Sequence, residues 1–180
     1  MKSPEYRFLS TWFIPNARCE DVSDVLQSSD KLAEWWPAVY LEVTVVERGG
    51  EHGLGQVLDL FTKGWLPYTL RWKLRVESVD YPHGSTISAS GDLTGRGVWA
   101  HEQTGDGVQT TYDWSVSADK PLLRYGSFAL RPLFAANHRW AMATGEISMC
   151  REIARRRGAV VQPPPQPTFW RPKMAGSMKV

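Results

Sequence analysis

An α+β domain, with an antiparallel sheet closed on one long C-terminal helix, follows from three observations on this 180-residue chain. Helical periodicity is confined to two short stretches after the first strand and one long stretch near the C-terminus. Between them lie about six strand-like runs joined by short turn signals, which is the pattern of an antiparallel meander. The length suits one domain, since a chain of this size buries roughly two thirds of its unfolded surface.

Residues 5–14 read as a strand with Tyr6, Phe8, Trp12 and Ile14 on one side. From Asn16 to Ser28 the residues Val22, Val25 and Leu26 fall at helical spacing, with Asn16 placed to cap the helix. Asp30 is placed to cap a second short helix, DKLAEWW, which Pro37 ends. Strands follow at 38–47 and at about 56–63. The clearest alternation is at 66–78, where Leu66, Tyr68, Leu70, Trp72, Leu74 and Val76 face one way and charged residues the other. YPHG reads as a turn, STISASG as a strand, DLTG as a second turn and RGVWAHEQ as a strand. TGDG is a third turn, and the next strand sets Val108, Thr110, Tyr112, Trp114 and Val116 on one face.

The long helix is predicted from near Pro132 to Arg157, its apolar stripe made of Leu133, Ala136, Trp140, Ala143, Ile147, Cys150 and Ala154. Arg151, Arg155, Arg156 and Arg157 sit at its C-terminal end, where cations oppose the helix dipole. Residues 1–158 are thus expected to form the domain. The proline-rich segment 159–180 reads as an extended or disordered tail, with Trp170 as a point where it could dock.

Several classes of function are disfavoured. A net charge of +2 gives no broad cationic surface for nucleic acid. Cys19 and Cys150 are too few for a disulfide framework or a zinc cluster and suit a reducing compartment. No window reaches the length needed to span a bilayer and no leader is evident, so stable membrane insertion is not expected and the default location is the cytoplasm. His52, His83 and His101 share no metal-ligand spacing, no serine sits in a hydrolase elbow, and the glycine groups at 50–55 and 91–97 precede no helix. Neither a metal nor a cofactor is expected.

The nine tryptophans, with six tyrosines and six phenylalanines, are the unusual feature. Large aromatics either fill a core or line a pocket that is apolar at one end and wet at the other. The segments EWWP, GLGQ, PYTLRWKLRVESVDYPHG, SGDLTGRGVW, TTYDW and RPLFAANHRWAMATGE together resemble the SRPBCC superfamily (START/Bet v 1-like), specifically its polyketide cyclase and dehydrase-like members. The resemblance covers about residues 5–157 and implies a helix-grip fold, a sheet of about seven strands wrapped around the long helix, with hydrophobic ligands held between them. In such a fold the cavity is expected to be lined by Trp35, Trp36, Leu58, Leu60, Tyr68, Leu70, Trp72, Tyr112, Trp114, Asn137 and Trp140. Trp99 joins them with its direction open, because either Val98 or Trp99 could point inward.

Asn137 lies about 60° around the helix from Trp140, so its amide is either a polar anchor for a ligand or a structural bond to the backbone. His138, about 160° away, reads as a surface or hinge residue. Asp92 and Arg96 read as a solvated hairpin tip. No convincing acid–base pair stands out. The expected function is binding of a small hydrophobic, aromatic or polyketide-like molecule. A polyketide cyclase or dehydratase is the alternative, and an interaction module using the proline-rich tail is another. The oligomeric state is left open, a homodimer included.

Overall fold

The computed structural model describes residues 5–118 and 127–169. Trp170, the docking point expected in the tail, lies outside the described residues. Strand β1 (Glu5–Pro15) leads into helix α1 (Cys19–Gln27), a single 3₁₀ turn and the short helix α2 (Leu32–Trp35). Then come β2 (Tyr40–Glu47), β3 (Val57–Lys63), β4 (Thr69–Asp80), β5 (Gly84–Gly91), β6 (Leu93–Gln103), β7 (Gly107–Ala118) and helix α3 (Ser127–Arg156). All seven strands form one antiparallel sheet in the order β1-β7-β6-β5-β4-β3-β2, so the first strand closes the sheet against the last. This is the α+β arrangement expected from the order of elements and the helix-grip architecture that the resemblance implies.

The inner face follows the alternation. Tyr6, Trp12 and Ile14 of β1 are buried, as are Val108, Thr110, Tyr112, Trp114 and Val116 of β7, whereas Leu9 and Phe13 point outward. The edge amide of Phe13 is covered differently: it donates to the Glu146 carboxylate at 2.7 Å, which blunts the open edge of the sheet.

Four local expectations are corrected. Asn16 does not cap α1, because it sits at φ 55 and the helix begins at Cys19, where the Arg18 amide bonds Asp21 Oδ2 at 2.8 Å. Asp30 lies inside the 3₁₀ turn and caps nothing. DLTG is not a turn, since Gly91, with φ 115, and Asp92 reverse the chain and β6 starts at Leu93. Asp92 is tied to the start of β4, accepting from the Arg71 amide at 2.8 Å, while Arg96 lies mid-strand on the outer face and reaches Thr86 at 3.4 Å. The Leu66–Tyr68 stretch is a loop, and β4 begins only at Thr69.

The largest correction concerns α3. Its predicted stripe faces away from the sheet: Ala143 is exposed, and Leu133 and Ile147 keep 36% and 44% of their surfaces accessible. The buried line is Met142, Gly145, Met149 and Ile153, together with Thr144, Ser148 and Glu152. At 100° per residue the two faces lie about 150° apart. The helix also starts at Ser127, with Pro132 in an early turn.

Gly145 explains the rotation. A Cβ there would overlap the indoles of both Trp12 and Trp36, so the backbone of α3 rests directly on the two rings. Trp36 Nε1 donates to Thr144 Oγ1 at 3.2 Å, and that hydroxyl donates to the Ala141 carbonyl at 2.7 Å. At the far end, buried Glu152 accepts from Arg155 and Arg156 at 2.7 and 2.8 Å, and Arg157 bonds Asp21 of α1 at 2.8 Å. The helix is therefore fixed at both ends of its buried face.

Gly145→Ala is expected to lose about 1–3 kcal/mol of stability through overpacking, read as a lower urea midpoint with an unchanged m-value. A wild-type midpoint would show that the indoles yield freely.

Candidate functional site

Between the inner face of the sheet and the N-terminal half of α3 lies a cavity of about 230 Å³. Helix α3 supplies Phe134, Asn137, His138, Ala141 and Met142, and the rest of the wall comes from the sheet, from α1 and α2 at one mouth, and from the β3–β4 loop at the other end. The residues of α3 that line the cavity all precede Gly145, where the helix backbone rests on the indoles of Trp12 and Trp36.

Aromatic rings form a connected wall. Trp72 and Trp114 have centroids 6.0 Å apart, Trp114 and Tyr112 5.7 Å, and Tyr112 and Trp99 stack at 4.1 Å. Trp99 then meets Trp12 at 5.0 Å, and Trp12 meets Trp36 at 5.5 Å. Pairs of this kind contribute about 0.5–1.5 kcal/mol each beyond area burial, so the wall is stiff. It is also locked by polar bonds, with Trp72 Nε1 donating to Thr62 Oγ1 at 3.0 Å.

Of the residues expected to line the cavity, Trp36, Tyr68, Leu70, Trp72, Trp99, Tyr112, Trp114 and Asn137 do so. Trp99 points inward, because it pairs across the ladder with Tyr112 while Val98 pairs with Asp113 on the outer side. The other four lie outside the lining. Leu58 and Leu60 share the inner face with Leu74 and Trp72 but have no accessible surface, lying at the end of the sheet where α2 packs on β2. Trp35 is packed behind Trp36 at 5.5 Å, its indole nitrogen buried without a partner. Trp140 is turned about 130° from the mean direction of the cavity-facing helix residues, at 100° per residue, and packs on the edge of the core instead.

Asn137 combines the two roles weighed for it. It lines the cavity, and its Oδ1 accepts the Leu66 amide at 3.3 Å. Gly64 permits this contact, since any Cβ there would collide with the Asn137 amide. Arg96 and Asp92 do not reach the cavity.

Three histidines do reach it: His101, His138 and, in the β2–β3 loop, His52, which stacks on Tyr81 at 4.0 Å. His138 is not a surface residue: it lines the cavity, stacks on Phe8 at 4.4 Å and lies 3.1 Å from Ser10 Oγ through Nε2. Its angle from Trp140 is a guide to the far side only if the apolar stripe is the inner face, and it is not. His101, 6% exposed, lines the cavity and lies 3.2 Å from Thr110 Oγ1 through Nδ1. Burial pushes the imidazoles of His101 and His138 down to about 4, helped at His101 by the neighbouring His83, so both are neutral at pH 7. The signal that could have found them is their position in register: His101 pairs with Thr110 on the inner face, and His138 lies seven residues before Gly145 on the helix.

The phenols behave in the same way. Burial pushes Tyr68 up to about 12 and raises Tyr40 and Tyr112 further, so each stays protonated. Among the described residues no cluster of three His, Cys, Asp or Glu side chains could hold a metal ion, and no helix is long and apolar enough to cross a membrane.

No protein-family model and no curated protein matches the sequence. Solved structures do match. TTHA0849 from Thermus thermophilus superposes with a TM-score of 0.62 at 19% identity, over 81% of this chain and 97% of that one. The ZhuI aromatase/cyclase from Streptomyces sp. R1128 gives 0.61 at 16% identity, over 87% and 96%. Norcoclaurine synthase from Thalictrum flavum, solved in complex with dopamine and hydroxybenzaldehyde, gives 0.58 at 14% identity, over 85% and 88%. These neighbours fall in the Bet v 1-like/SRPBCC group that the sequence resembles, and the likeness establishes the helix-grip fold.

Because the folded imidazoles titrate near 4 and ordinary ones near 6.5, the unfolded chain binds more protons between those values. Stability present above about pH 6.5 is therefore lost as pH falls toward 4. Denaturation across that range should show a shallower decline in a His101→Gln, His138→Gln double variant than in the wild type. Equal slopes would mean that these rings are not the source.

Proposed function

We propose that the chain binds a small, uncharged hydrophobic molecule, aromatic or polyketide-like in shape, in the cavity beneath α3. The observation that carries this reading is the aromatic wall, together with the absence of any carboxylate or guanidinium from the described residues that line it. Lys63 is the single charged side chain among them, and its ammonium donates to the Thr168 carbonyl. Burial of about 300 Å² of apolar ligand surface contributes about 7–8 kcal/mol, which supports micromolar affinity, about −8 kcal/mol, where the site is preformed. The norcoclaurine synthase structure, with dopamine and hydroxybenzaldehyde bound, supports small aromatic ligands for this fold and does not bear on their charge.

A cyclase or dehydratase is the second reading, favoured by the His138 imidazole on the wall and by the aromatase/cyclase among the structural neighbours. It ranks below binding on proton affinity. A general base works best with a pKa near the operating pH, and an imidazole held near 4 is a weak acceptor at pH 7. Asn137 and the phenols of Tyr68 and Tyr112 would serve such a reaction as hydrogen-bond donors to a developing oxyanion. Turnover of a bound polyketide analogue that is lost in Tyr112→Phe and in Asn137→Ala would move the enzyme to first place.

Titration with the neutral fluorophore N-phenyl-1-naphthylamine is expected to give saturable binding in the micromolar range. Leu70→Trp, which places an indole in the cavity, should weaken it about tenfold or more with an unchanged far-ultraviolet circular dichroism spectrum. Binding that is absent, or indifferent to the added ring, would sink the proposal.

A further inference from the structure

After α3 the chain doubles back. The Ala159 amide bonds the Ala154 carbonyl at 3.0 Å, Arg151 donates to the carbonyl of Pro163 and, at 3.4 Å, to Gln162 Oε1, and Thr168 arrives at the β3–β4 loop. There Thr168 Oγ1 donates to the Trp65 carbonyl at 3.2 Å, and the ammonium of Lys63 donates to the Thr168 carbonyl. Phe169 lies with its ring centre 6.0 Å from the same nitrogen. Prolines 163, 164, 165 and 167 keep the segment extended at about 3.1 Å per residue, so the five steps from Pro163 to Thr168 span about 16 Å. The fourteen helix steps from Arg151 back to Asn137 span about 21 Å at 1.5 Å each. The segment thus has nearly the reach needed to run antiparallel to α3 from its middle to the cavity end.

That run lies on the side of Arg151, about 110° around the helix from the cavity-facing residues at 100° per residue, next to the outward-facing apolar stripe. Its destination is a cavity wall. Gly64 and Tyr68 line the cavity, and the Leu66 amide is held from within by Asn137. The β3–β4 loop is therefore clamped on two sides: by Asn137 inside and by Thr168 outside. Lys63 is 5% exposed, yet among the described residues no carboxylate pairs with it; its partners are a peptide carbonyl and an aromatic face. An ammonium so covered gains from whatever hydrogen-bonds it, and here the segment that covers it does so.

We infer that residues 159–169 form a strap that closes the cavity at the β3–β4 loop, with Lys63 and Arg151 as its two fasteners, and that ligand passes in and out where this strap lifts. The inference rests on the cavity being the binding site. The strap is suited to lifting because it has no ladder or helix of its own and Val160 and Phe169 are almost fully exposed, whereas the walls around the cavity belong to the buried core. A neutral backbone carbonyl on an ammonium is also an exchangeable partner, unlike a buried ion pair.

Stopped-flow binding and release of N-phenyl-1-naphthylamine by the full chain tests it. In the Lys63→Met, Arg151→Met double variant, association and release should both accelerate about tenfold or more, as expected when charge-assisted hydrogen bonds are lost from the closed state, and in Arg151→Met alone, which leaves the cavity lining untouched, both should accelerate with Kd changed less than about threefold. Hydrogen exchange at the amides of Trp65, Leu66 and Tyr68 should quicken in parallel. Lys63→Arg, which keeps the donor, should stay close to wild type. Saturable binding with unchanged rates and unchanged exchange overturns the strap and leaves the cavity reading intact. Faster release alone, with weaker affinity, also overturns it, because Lys63 would then be holding the ligand rather than the closure. No binding by the wild type overturns the cavity reading and the strap together.

Discussion

The contact of Trp12 and Trp36 with the bare backbone of α3 at Gly145 is the constraint on which the rest of the arrangement depends. One indole comes from β1 and the other from the end of α2, so a single glycine brings the sheet edge, the short helices and the long helix to one point. Any side chain at 145 would hold the helix off the rings. Because the rings are large, they hold the more N-terminal turns of α3 above the sheet without filling the space beneath, and that space is the cavity. The residues of α3 that line it, 134 to 142, all precede Gly145.

The wall of that cavity is continuous with the indoles beneath Gly145. Trp12 and Trp36 belong to the same chain of ring contacts that runs through Trp99 and Tyr112 to Trp114 and Trp72. A pocket built this way holds its shape without a ligand, since each ring is fixed by its neighbours and two of the indole nitrogens, of Trp36 and Trp72, by hydrogen bonds to threonines. Preformed apolar pockets save the ligand the cost of ordering side chains, which is where much of the binding free energy of flexible sites is lost.

The sheet was legible in the sequence because its period is short and its two faces differ. Alternation at 66–78 and 108–116 set Tyr68, Leu70, Trp72, Tyr112 and Trp114 on one face, and the helix-grip resemblance made that face the wall. The helix was not legible, for a physical reason. Leu133, Ala136, Ala143, Ile147 and Ala154 make the more apolar face by residue type, while the face that is buried carries Gly145, Thr144, Ser148 and Glu152. Small and polar residues are inside because they must meet indoles at close range, bond Trp36 and anchor two arginines. A hydrophobicity stripe is blind to such requirements, and the error carried His138 to the wrong side while leaving Trp140 on the cavity. Leu58, Leu60 and Trp35 failed differently: they are buried within the packed core cluster rather than open to the cavity, which alternation cannot distinguish.

What the cavity can hold is limited more by charge than by size. Tyr40, Tyr68 and Tyr112 keep their protons because burial disfavours the phenolate, and His101 and His138 lack theirs because burial disfavours the imidazolium. These are opposite shifts with one cause: the space is too poorly solvated to tolerate charge on either kind of ring. A ligand bearing a charge would meet the same penalty, with no fixed carboxylate or guanidinium among the described lining residues to offset it. Lys63 does not change that balance, since its ammonium is committed to the Thr168 carbonyl at the edge of the site. The wall therefore offers ring faces between two groups of hydrogen-bonding side chains: Asn137, Tyr68 and His138 toward the β3–β4 loop, and Ser23, Gln27, Ser29, His52 and Gln56 toward α1 and the β2–β3 loop. An uncharged aromatic body with polar groups at its ends is the shape that such a distribution would fit.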